Sequence, residues 1–228
     1  MGFEFMRRRL AVAVFTFLLC SASFSQQTLQ KDVATVTFTC DFPGSNPDHY
    51  FLSVADDGAA SYDSTGKLTK DSDDDPYRFD FVVSEKTRVR IFALAVQAKY
   101  FEGQIDSGKK LAVMGKKTLT YKDSRRSTAA TYNYSSISAV QDLTRIFQSI
   151  AMTLESQRRL EYAFRYQKLA LDDELKTVEE ENSRGSLGEL DILTPVLQKI
   201  SADSSLVNVA RARAQRLLAV MKKPEQAK

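Results

Sequence analysis

Thiol and imidazole groups are scarce in this chain. There is one histidine, His49, and of the two cysteines only Cys40 lies beyond the N-terminal segment. Cys40 ends one alternating stretch and His49 begins the next, so a hairpin would bring the two strands together. A thiol beside an imidazole is the arrangement of a cysteine hydrolase, and no other nucleophile–base pair of this kind is offered. Yet Cys40 alternates with Val36 and Phe38 on the apolar side of its strand, while Thr35, Thr37 and Thr39 take the other side. That spacing predicts a buried, unreactive thiol. His49 being the one imidazole, no Ser-His-Asp triad can be drawn apart from it. The reading assigns no catalytic residue and takes the chain as a non-enzyme, with a hydrolase built on Cys40 and His49 as the alternative.

Metal and cofactor chemistry are equally restricted. Asp71, Asp73 and Asp75 stand at every second position, as in the opening of a calcium loop. Such a loop needs glycine at its sixth position and glutamate at its twelfth. Counted from Asp71, those positions hold Pro76 and Val82, so a solvated turn is expected instead. One histidine and one thiol cannot build a closed zinc site. The nine glycines are scattered and form no phosphate-binding loop. No cofactor, metal or cofactor-binding residue is expected.

The N-terminus carries Arg7, Arg8 and Arg9, an apolar run from Leu10 to Leu19, and the small-x-small triplet Ser23-Phe24-Ser25. Together they predict a secretory signal peptide over residues 1–25. Its apolar run is about half the ~20 residues that a bilayer crossing requires, so no membrane span is expected after cleavage. Cleavage removes three arginines and one glutamate, and the formal charge falls from +3 to +1. A nearly neutral chain argues against nucleic acid as a partner. A protein partner in the secreted or periplasmic space is expected. The mature chain has no second cysteine for a disulfide, so an ordinary apolar core must hold it together.

Residues 34–42, 49–58 and 76–83 alternate as half-buried strands, with ASYDS after the Asp57-Gly58 turn as another. Val89, Phe92, Ala93, Val96 and Tyr100 then fall at helical spacing, with Ser84 as the N-cap of a helix over about 85–101. Residues 111–121 suggest two short strands around Gly115, and 127–135 a further one. From Ser138 onward the pattern is helical: Val140, Leu143, Phe147, Ile150, Ala151 and Leu154 form one stripe. A helix beginning at an Asp cap follows near Leu171, and two more span about 187–201 and 205–222. The predicted fold class is α+β: a small, mostly antiparallel sheet with one amphipathic helix, followed by an α-helical C-terminal region. The divisions are 26–136 for the α+β part, 137–223 for the helical region and 224–228 for a disordered tail.

Charge is unevenly distributed. Residues 41–85 hold eleven acids and three bases, and residues 86–130 hold eleven bases and three acids. Either the two segments lie together and neutralise one another, or they form a polarised surface that steers a partner.

The stretch Asn46-Pro47-Asp48-His49-Tyr50-Phe51-Leu52-Ser53-Val54, with Asp57-Gly58 and Tyr62, resembles the opening of small secreted bacterial α+β domains of unknown function. The cysteine of their opening motif is missing here, and the resemblance covers at most residues 34–150 and implies no activity. Leu193, Pro195, Leu197, Ile200, Asp203, Val207, Ala210, Arg211, Ala214 and Leu218 resemble one HEAT-type helical hairpin. Export is checked directly: N-terminal sequencing of the exported protein is expected to begin at Gln26, and retention of Met1 or Met6 in a membrane fraction would contradict it.

Overall fold

A computed structural model describes residues 33–68, 72–110, 112 and 115–221. The predicted signal peptide and the tail 224–228 lie outside them. Six strands form one antiparallel sheet: β1 (Thr35–Asp41), β2 (His49–Ala55), β3 (Ala59–Gly66), β4 (Asp75–Val82), β5 (Lys116–Lys122) and β6 (Ser127–Tyr132). Their order is β4-β3-β2-β1-β5-β6. The first four make a meander. The chain then crosses one face of the sheet through helix α1 (Glu85–Gln97) and returns as the β5–β6 hairpin beside β1.

Strand alternation sets the two faces. Val36, Phe38 and Cys40 on β1, Leu52 and Val54 on β2, Tyr62 on β3 and Leu119 on β5 are all buried on the same side. The other side carries threonines, serines and charges, as expected for an antiparallel sheet with one solvated face. Between β2 and β3, Gly58 takes a left-handed φ of 96° and Asp57 Oδ1 accepts from the Ala59 amide at 2.9 Å, which makes the Asp-Gly turn.

Two helices cover the apolar face, α1 and the 29-residue α2 (Ser138–Tyr166). The stripe Val140, Leu143, Phe147, Ile150, Ala151 and Leu154 is buried as the periodicity predicts. The stripe predicted for α1 is not the one used. Val89 and Val96 are each 54% exposed, and Ile91, Leu94, Ala95 and Ala98 are buried. Both sets have helical spacing, but the buried one pairs two bulky residues with two alanines, and so lets the helix settle close to the sheet. Past α1, Lys99, Tyr100 and Phe101 all adopt positive φ. This turn is held by burial of Phe101 and by the Tyr100 ring against Tyr121, 4.6 Å between centroids.

The sheet part is followed by helices α3 (Leu171–Ser183), α4 (Thr194–Ala202) and α5 (Asn208–Met221). They build a second core of Leu175, Val178, Val196, Leu197, Ile200, Ala210, Ala214 and Leu217 around Leu160 and Ala163 of α2. The fold is thus α+β with a helical C-terminal region. Three local expectations differ. Asp172 and Asp173 lie inside the first turn of α3, where they favour the helix dipole, and no side chain caps it. The strand expected before Gly115 falls largely outside the described residues, and Ala112 is coil. The single helix expected over 187–201 is a short 3-10 turn, Leu190–Leu193, followed by α4, with Pro195 in its first turn.

One side chain from the helical part completes α1. Ser84 Oγ accepts from the Thr87 amide as an N-cap. The carboxylate of Glu189 then accepts from the Ser84 amide and hydroxyl, each at 2.7 Å, and from the Thr87 hydroxyl. A negative group at a helix N-terminus satisfies open donors and opposes the positive end of the dipole. Glu189→Ala is expected to lower stability by about 1 kcal/mol in urea unfolding, and Glu189→Gln by less. A cost indistinguishable from zero would show that the clasp contributes nothing.

Candidate functional site

Register decides the Cys40–His49 question. Cys40 lies opposite Tyr50 on β2 and Lys117 on β5, whereas His49 lies opposite Asp41. Cys40 therefore faces the core, 5% exposed, and His49 faces solvent from the other side of the sheet. The imidazole Nδ1 is 2.5 Å from Asp41 Oδ1. Asp48, its sequence neighbour, is not its partner. No thiol–imidazole pair exists here, and burial pushes the Cys40 thiol above its ordinary value, partly countered by Tyr50 and by the Lys117 ammonium.

What surrounds Cys40 instead is a buried polar group at one end of the sheet. Tyr50 and Tyr132 are held protonated by burial. Lys117, 5% exposed, donates to the carbonyls of Asn133 at 3.1 Å and Gly115 at 3.3 Å. Burial lowers its proton affinity. It lines a cavity of about 290 Å³ with Tyr132, Tyr134, Gln141, Thr144 and Arg145.

A second concave region lies at the opposite edge of the sheet, between β4 and the C-terminal half of α2. Tyr77 and Phe79 form one wall, and Gln157, Arg158, Glu161, Tyr162, Arg165 and Tyr166 the other, around about 430 Å³. A polar seam runs between β3, β4 and α2, and Asp75, Tyr77, Gln157 and Arg158 of it line the groove. Glu155 Oε1 accepts from Tyr62 Oη at 2.8 Å and Ser64 Oγ at 2.7 Å. Arg158 Nη2 donates to the Asp75 carbonyl at 2.6 Å and to its carboxylate at 3.1 Å. Tyr77 Oη donates to Gln157 Oε1 at 2.5 Å. The Arg158 guanidinium also sits 5.1 Å from the Tyr77 ring centre. Of the aspartates considered for calcium, Asp75 is thus engaged by Arg158, Asp73 is exposed coil, and Asp71 lies outside the described residues.

This groove was not anticipated, because its walls are some eighty residues apart in sequence. One signal was present. Arg158 stands four residues after Leu154, where the apolar stripe of α2 calls for another buried side chain.

Within the sheet the two charged segments lie apart, although α1, which carries Lys86, Arg88 and Arg90, begins beside the β2–β3 turn, where Arg88 Nη1 donates to the Asp56 carbonyl at 2.7 Å. The acid-rich segment supplies β2, β3 and β4 on one side of β1, and the base-rich segment supplies β5 and β6 on the other. Among the described residues, the one ion pair joining the two segments is Glu85–Arg88 at 3.7 Å, within the first turn of α1. No helix among the described residues is long and apolar enough to cross a membrane. No protein-family model matches the sequence, and no match is found among curated proteins.

The buried acids predict alkaline behaviour. Cys40, Tyr50, Tyr62, Tyr77 and Tyr132 keep their protons in the fold and release them when unfolded, above 9.0 for the thiol and 10.0 for the phenols. The unfolded state then binds fewer protons, so stability falls as pH rises past 9. Lys117 has the opposite sign and offsets part of this. Urea midpoints are expected to decline from pH 9 to 11, and native Cys40 is expected to resist alkylation at neutral pH while reacting stoichiometrically in denaturant. Fast native labelling would contradict the burial argument.

Proposed function

We propose that this is an exported, non-catalytic protein of the cell envelope that binds or assembles with a protein partner. The observation that carries the reading is the division of charge across one sheet, acids on the β2–β4 side and bases on the β5–β6 side. Charges of one sign grouped on one side of a surface act on an approaching molecule, orienting it and raising its association rate. The export signal expected from the sequence of residues 1–25 supports the location. The competing hydrolase reading rested on Cys40 and His49, which project from opposite faces, and it is not carried forward.

The test uses chemical cross-linking in an envelope extract, followed by recovery of the bound partner. Recovery is expected to weaken as salt rises. It is expected to fall further in the triple variant Lys116→Glu, Lys122→Glu, Arg125→Glu, whose positions are exposed and whose melting temperature should match the parent. Recovery indifferent to both salt and charge reversal would overturn the steering argument. Substrate turnover by the purified chain would overturn the non-catalytic one.

A further inference from the structure

The groove between β4 and α2 contains two buried polar atoms without a hydrogen-bond partner, Arg158 Nη1 and Glu161 Oε2. Each has a charged neighbour, Glu155 and Arg165 respectively, but at 3.6 Å, beyond hydrogen-bond length. Arg158 is 6% exposed. Buried polar atoms of this kind call for a partner that enters from outside the chain. One is a donor and the other an acceptor, and a hydroxyl group is both at once.

The walls add two further constraints. Tyr77 and Phe79 on the strand, and Tyr162 and Tyr166 on the helix, give both sides an aromatic surface. The ionised lining residues are two acids, Asp75 and Glu161, and two bases, Arg158 and Arg165, so the groove carries no net charge to attract an ion. From these features we infer that the groove binds an uncharged saccharide chain, its C–H faces against the aromatic rings and its hydroxyls on Arg158 and Glu161. Hexopyranoses with equatorial substituents and β linkages suit it best, because both faces of each ring present C–H groups. An extended peptide fits less well, because Pro76 leaves β4 one amide short for pairing with a further strand. This site is separate from the charged sheet surface and does not depend on it.

The experiment is titration calorimetry of the mature chain with cellohexaose and chitohexaose, and with an uncharged extended hexapeptide as the comparison. Saturable binding of at least one saccharide is expected, with no binding of the peptide. Tyr166 is 71% exposed, so Tyr166→Ala should fold normally. It is expected to weaken saccharide affinity about tenfold, ~1.4 kcal/mol, with an unchanged melting temperature. Glu161→Gln, which keeps the shape and removes the charge, should also weaken it. No binding of either saccharide, binding unaffected by Tyr166→Ala, or preference for the peptide would each overturn the inference.

Discussion

A helix that serves two cores has to cross the space between them, and α2 does so without a break. At 29 residues it is about 43 Å long. Its first half is buried under the sheet and its last turns are buried among α3, α4 and α5. The crossing is where Glu155 and Arg158 sit, in positions that an apolar stripe would otherwise fill. A charge taken out of water is tolerated only when its neighbours replace the lost hydration. The replacements here are the Tyr62 and Ser64 hydroxyls and the carbonyl and carboxylate of Asp75, all from the edge half of the sheet. The seam thereby fixes where α2 lies on β3 and β4, and with it the placement of the helical part.

Sheet geometry explains why an aromatic groove remains at that edge. Six strands span about 24 Å from first to last at the usual spacing, while two helices of about 10 Å each cannot cover all of it. On the β6 side, the left-handed turn at Lys99–Phe101 fills the remainder. On the β4 side, Tyr77, Phe79 and Phe81 continue the apolar face outward and stay half-buried.

Patterns of period two and short-range caps were legible from sequence. The inward set of β1, the apolar stripe of α2, the Asp57-Gly58 turn and the Ser84 cap follow from local spacing and side-chain chemistry alone. The wrong stripe on α1 shows where that method runs out, since Val89–Val96 and Ile91–Ala98 fit the same period and only packing against the sheet chooses between them. Cys40 was placed correctly on the core face, but its opposite residue, Lys117, required knowing that β5 returns beside β1. The groove was illegible for the same reason. Its aromatic walls are unremarkable separately, and become a site only when α2 passes β4.

The Glu189 clasp bears on the order in which the chain can become stable. A ribosome releases residues 33–132 well before residue 189, so the whole sheet and α1 emerge while the Glu189 clasp over the Ser84 cap is still missing. The Tyr62–Glu155 contact likewise joins residues 93 apart. Contacts of such separation carry a large loop-closure cost and tend to form late. The nascent sheet half is therefore left with a helix capped by Ser84 alone and an uncovered aromatic edge until the C-terminal helices arrive. A chain cut short after β6 would lack α2, the seam and the clasp together, leaving the apolar face of its sheet largely open to solvent and to other chains.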